Sequence, residues 1–260
     1  MIQFKTAEEI ELLRASNLLV SKTLAEVARH IVPGVKTQEL DRIAEEFIRD
    51  HGAIPGFLGY KGYPKTLCTS VNQQVVHGIP SDYRLREGDI VSVDCGVLYQ
   101  GYYGDSAYTF AVGEIPEKVK HLLRTTRESL FKGIEQASEG KRIGDISSAI
   151  QEHCERERFS VVREMVGHGI GKGLHEAPEV PNYGRRGHGP RLQQGMVICI
   201  EPMINLGRKE IIQDPDGWTI HTADKMPSAH FEHCVAIGQN GADILSNFNY
   251  IEEVLSIQTN

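Results

Sequence analysis

A stretch of ten residues occurs twice in this chain, and each copy ends in an acid. Leu85 to Asp94 (LREGDIVSVD) lies over Leu192 to Glu201 (LQQGMVICIE) without a gap. Pro33-Gly34 to Leu40 lies over Glu139-Gly140 to Ile146 at almost the same offset, and His77-Gly78-Ile79-Pro80 echoes His175-Glu176-Ala177-Pro178. One such match is within reach of coincidence; three in the same order point to a duplicated unit. The expected elements repeat as well. A capping box at Thr6 and Glu9 starts a long amphipathic helix that should stop near Pro33-Gly34, and Thr37 should cap a second helix ending near Gly52. Strands are expected over 66–71 and 75–79. Pro116 then suits the first turn of a long helix reaching Ala137, and Gly144 or Asp145 begins a shorter one ending near Arg158. The expected architecture is therefore α+β, one domain over residues 1–260 made of two halves, about 1–112 and 113–260, related by a pseudo-twofold axis. Their equivalent acids would meet in a central cleft.

The segment from Ile90 to Phe110 reads as a β-hairpin turning near Gln100-Gly101. Its acids are Asp94 and Asp105. In a hairpin with an even-numbered loop, residues on one face across from each other have an odd index sum, so both carboxylates project from the same face. Two anions held together repel, and a bound cation is the usual compensation, although a wet strand face would also tolerate the pair.

Composition narrows the class. A net charge of −7 argues against a generic nucleic-acid or anionic-membrane surface. Cys68, Cys95, Cys154, Cys199 and Cys234 are odd in number and widely spaced, with no CxxC pair, which suggests reduced thiols in a cytoplasmic protein. The amino-terminal residues lack the apolar core of a signal peptide, and no apolar run is long enough to cross a bilayer. The Gly- and Arg-rich stretch from Asn182 to Arg191 is expected to be a mobile surface loop, and Asp214-Pro215-Asp216-Gly217 a turn.

Three further residues look like metal ligands. Glu201 ends the apolar run Met196 to Ile200, Glu232 interrupts the strand-like run His230 to Ile237, and His168 lies in Gly167-His168-Gly169-Ile170-Gly171. Singly, each has an ordinary explanation, as a strand-edge acid or a histidine satisfied by a carbonyl. Together with the hairpin pair they form four carboxylates and one imidazole, a hard donor set whose charge balances two divalent cations.

On these motifs, with Glu201-Pro202-Met203, Phe231-Glu232-His233 and the strand Val71 to Pro80, the chain resembles the type I methionine aminopeptidases in their short bacterial form. The resemblance spans nearly the whole chain and implies the pita-bread fold. It implies that Asp94 chelates one metal, that Asp105 and Glu232 bridge two, and that His168 and Glu201 complete the second. The ions would be Co, Mn, Fe or Zn, and a hydroxide bridging them would attack the bond after the initiator methionine of a nascent polypeptide, best when the next residue is small. Glu201 or the metal pair itself would receive the proton. By the same resemblance His175 steadies the oxygen of the tetrahedral intermediate, His77 faces the amide beyond the scissile bond, and Tyr60, Tyr63, Cys68 and Trp218 line the methionine pocket. Asn72 and Ser228 would help hold a monovalent cation. Leu174, Phe57, Gln73 and His230 depart from the family's commonest residues and put the detailed pocket shape in question. The expected partners are nascent amino termini, with a transient ribosome contact, no membrane, no specific nucleic acid, and a monomeric chain. A proline-directed peptidase of the same fold and a silent peptide-binding module are the alternatives.

Overall fold

The computed structural model describes residues 1–258. Helix α1 (Ala7–Ala28) starts on a complete capping box: the Thr6 hydroxyl accepts the Glu9 amide at 3.3 Å and the Glu9 carboxylate accepts the Thr6 amide at 3.0 Å. Two of the amides that a helix start leaves unpaired are thereby satisfied. The helix ends well before Pro33, because the amides of Arg29, His30 and Ile31 turn to carbonyls three residues back. Helix α2 (Thr37–Asp50) is not capped by Thr37. Lys36 is its N-cap and makes no side-chain cap bond, while the Thr37 hydroxyl accepts the Ser81 amide at 2.9 Å and donates to the Ser81 carbonyl at 3.2 Å. A tertiary contact has taken the group that local capping would use.

The first sheet is built on the hairpin. Ile90–Tyr99 and Tyr102–Ala111 pair antiparallel across Gln100 and Gly101, whose φ values of 50° and 83° are those of a type I′ turn. The other edge of Ile90–Tyr99 receives Leu67–Val71 and Ile54–Pro55. Helix α1 packs directly on Tyr102–Ala111, so closely that a β-carbon on Gly104 would lie 2.6 Å from the Ser16 backbone.

In the second half, helix α3 (Glu117–Ile134) has Pro116 at its N-cap rather than inside the first turn, and helix α4 (Ile143–Arg156) follows. The five-stranded sheet runs Ala242–Ile244, His233–Ile237, Val197–Ile200, Gly167–Gly169, Glu176–Val180. The 182–191 loop departs from the expectation of mobility. Its tip is exposed, yet the Gln151 and Asp145 side chains accept the Gly184 and Gly187 amides, and the Ile143 and Gly144 amides donate to the Pro190 and His188 carbonyls. The start of α4 needs acceptors for its free amides, and this loop supplies them.

Helix α5 (Asn249–Gln258) closes the fold against α1. The main apolar core joins α1 and α2 to the helices of the second half through these two sheets and a three-stranded one formed by Ser228–His230, Met203–Asn205 and Ser160–Val161, and a smaller cluster including Leu13, Phe57, Tyr63, Leu174 and Cys199 backs the cleft. The sheets meet where the outer hairpin strand docks on the segment before His233–Ile237. There the Glu232 amide donates to the Ala107 carbonyl at 2.9 Å, the Ser106 hydroxyl to the Glu232 carbonyl at 2.7 Å, and the Thr109 hydroxyl to the His230 carbonyl at 2.7 Å. No helix among the described residues is long and apolar enough to cross a membrane.

Candidate metal centre

Asp94 lies opposite Ala107 and Asp105 opposite Gly96, so the two acids are diagonal neighbours on one face of the hairpin. The sheet junction brings Glu232 beside them, and the ends of the Gly167–Gly169 and Val197–Ile200 strands bring His168 and Glu201. All five line one cleft of about 300 Å³, together with His77 and His175. Asp105, His168 and Glu232 are buried, while Asp94 and Glu201 are half-buried.

The imidazole of His168 is oriented by its backbone. Its Nδ1 lies 2.9 Å from the Gly169 carbonyl and so carries the proton, which leaves the Nε2 lone pair facing Asp105 Oδ2 at 3.7 Å and Glu201 Oε1 at 3.6 Å. Burial lowers its pKa to about 4, keeping it a neutral donor.

The carboxylates are under-satisfied. Asp94 Oδ1, Asp105 Oδ1 and Glu232 Oε1 are buried without a hydrogen-bond partner among the described residues. Burial pushes Asp94 up to about 7, and holds Asp105, Glu201 and Glu232 well above the usual carboxylate range, with their mutual repulsion adding to it. Buried anions without partners are costly unless cations offset them. Asp105, His168, Glu232 and Cys199 offer donor atoms all within 4.8 Å of one another. The residues present therefore fit divalent metal ions.

Cys199 belongs to no metal-ligand motif in the sequence, although its position two residues before Glu201 puts it on the same strand face. His230, noted only as an unusual residue, has its Nε2 buried, unpartnered and 3.7 Å from Glu201 Oε2. Met203, from the Glu201-Pro202-Met203 motif, also lines the cleft, as does Met165, which no local signal marks.

His175 stands at the cleft mouth, its ring centroid 4.3 Å from that of His168 and its Nδ1 3.0 Å from the Tyr60 hydroxyl. Burial lowers its pKa to about 3, with neighbouring His168 and Lys61 adding to the effect. His77 has φ 60°, a left-handed backbone uncommon for a residue with a β-carbon, and the strand before it stops at Val76 rather than at Ile79. Beside these histidines the aromatics form a wall: Trp218 meets Tyr63 edge-on with centroids 5.1 Å apart, and the Tyr63 hydroxyl donates to the Leu67 carbonyl at 2.9 Å. Phe57, Tyr60, Cys68 and Leu174 complete the lining. Away from the cleft, the Ser228 amide donates to the Asn72 carbonyl at 2.9 Å, which brings those two residues together.

Comparison with known proteins places this geometry among characterised ones. Residues 11–239 match metallopeptidase family M24. The chain is 52% identical over 246 residues to a methionine aminopeptidase from Clostridium perfringens, covering 95% of this chain and 99% of that protein. It superposes on the crystal structure of methionine aminopeptidase from Rickettsia prowazekii with a TM-score of 0.94 at 42% identity, covering 95% of this chain and 100% of that one. The methionine aminopeptidase structure from Thermotoga maritima gives a TM-score of 0.93 at 46% identity, with 95% and 100% covered.

Proposed function

Because this chain belongs to metallopeptidase family M24, and within it to the methionine aminopeptidases, we infer how its own cleft carries out the reaction. The protein is a metal-dependent hydrolase that removes amino-terminal methionine, and its fold is the pita-bread α+β fold. The observation that carries the site assignment is the group of buried, partnerless carboxylate oxygens on Asp94, Asp105 and Glu232, in the same cleft as the free Nε2 of His168.

Asp94, Asp105, His168, Glu201 and Glu232 would hold two divalent ions. When bound, such a pair activates water as a nucleophile and polarises the carbonyl under attack. Mn, Fe, Co and Zn all accept this donor set. Glu201, half-buried at the cleft, would receive the proton the nucleophile gives up. The Tyr60 hydroxyl hydrogen-bonds Nδ1 of His175 and holds the ring so that Nε2 would donate to the oxygen that gains charge in the transition state. His77 orients the amide beyond the scissile bond. Tyr60, Tyr63, Cys68 and Trp218 hold the methionine side chain, whose polarizable sulfur suits an aromatic wall.

The wider reading keeps the same frame. The chain is one catalytic unit of two related halves, supported by the recurrence of a long helix, a short helix and a sheet in each. It acts as a monomer in the cytoplasm on nascent amino termini, with a transient ribosome contact and a preference for a small second residue. A monovalent cation near Asn72 and Ser228 belongs to the same reading. A peptide panel tests this. Met-Ala-Ser should be cleaved and Met-Lys-Ser should not; cleavage of Xaa-Pro peptides would favour a proline-directed enzyme, and a folded, metal-loaded protein inert to all of them would leave only a binding role.

A further inference from the structure

The segment that carries His175 is gripped by residues from the start of the chain. Lys5 Nζ lies 2.5 Å from Glu176 Oε2, and both side chains are nearly out of solvent, at 5% and 9% exposure. The other carboxylate oxygen, Glu176 Oε1, accepts the Gly173 amide at 2.9 Å, and the Gly171 amide donates to the Gly173 carbonyl at 3.1 Å. The contact leaves no slack: a β-carbon on Gly171 would fall 2.6 Å from both Glu176 Oε1 and Lys5 Cε. Lys5 is itself held, its amide donating to the Gly195 carbonyl at 2.7 Å. At the near end of the same segment, Lys172 Nζ is 3.9 Å from Glu9, whose carboxylate also accepts the Tyr102 hydroxyl at 2.7 Å.

A buried ion pair adds little net stability over an apolar pair of similar size, because desolvation offsets the attraction. What it does provide is a fixed position for its two partners. We propose that Lys5 is a positioning residue for His175: by clamping Glu176, it fixes the turn 171–176 and so the angle at which the neighbouring imidazole faces the cleft. This rests on the reading of His175 as the donor to the transition state. An imidazole misplaced by about 1 Å can lose on the order of a hundredfold in rate, so the effect falls on kcat rather than on metal binding.

The test uses the full-length, zinc-loaded protein. Lys5→Met should lower kcat on Met-Ala-Ser by tenfold or more with KM changed less than threefold and metal content unchanged. In ¹³Cε1-histidine NMR spectra, the His175 line, assigned through His175→Ala, should shift or broaden while the His77 line stays in place. Should Lys5→Met fail to fold, the same measurements are read on Lys5→Gln, which keeps a donor. A kcat within twofold of the parent, or an unmoved His175 line, overturns the inference. The two readings separate cleanly: if His175→Ala keeps its kcat, the role of His175 falls, whereas if only the Lys5 variants behave as the parent does, the clamp alone falls.

Discussion

At the scale of single residues, the centre is a contest between repulsion and compensation. Asp105 touches every part of it: it shares the hairpin face with Asp94, lies 3.7 Å from His168 Nε2 and is pushed up by Glu232. Asp105→Ala should therefore lose metal and activity together, the latter by about a thousandfold or more, as when one member of a catalytic unit is removed. Retained metal by elemental analysis would count against its assignment. The acids also predict a pH dependence. Their folded pKa values lie above the unfolded value of about 4. In the chelated protein the stability this brings is complete below that value and is lost as pH rises through the folded values, about 7 for Asp94. Metal requires the ionised form and cancels that loss, while His168 and His230, with pKa values lowered to about 4 and about 3, stay neutral with or without it. The gap in Tm between metal-loaded and chelated protein should be small at pH 5 and wide at pH 8. A gap independent of pH would contradict the coupling.

At the scale of elements, the hairpin is held in place by α1 from behind. Gly104 allows the close approach, and Asn17 Oδ1 accepts the Asp105 amide at 3.2 Å, so the helix positions the strand that bears Asp105. Gly104→Ala would push the Ser16 backbone away, an overpacking that costs about 1–3 kcal/mol. Each kcal/mol lowers Tm by about 2–4 °C in a chain of this size. Metal affinity should fall with it, measured by titration calorimetry on chelated protein. An unchanged Tm would show that the helix can slide without cost. The capping box of α1 was legible because its two hydrogen bonds join residues three apart. The cap of α2 was not, because the hydroxyl of Thr37 answers to Ser81, far along the chain. The 182–191 loop misled for the same reason: glycines and arginines describe a flexible segment locally, and the acceptors that hold it belong to α4 and its flanks.

At the scale of the whole molecule, the proposed metal-binding residues come from the hairpin sheet and from the five-stranded sheet with its flanks, so the ions would act as a bolt between them. Chelation should loosen the junction: amide exchange at residues 105–109 and 230–233 should speed up, while α2, which has no part in the centre, keeps its protection. Equal exchange with and without metal would mean that the ions do not tie the halves. The sequence alone determined the register of the hairpin and the shared face of Asp94 and Asp105, because strand alternation is a local rule with a period of two. It also singled out Glu201 and Glu232, which line the cleft, since acids that end or interrupt apolar runs are conspicuous against their neighbours. Only the tertiary structure decided that Cys199 and His230 lie against those residues, that Tyr60 hydrogen-bonds His175, and that Lys5 reaches Glu176. Those contacts join residues far apart in the chain, and the packing of one half on the other, which no local pattern encodes, is what brings them within reach.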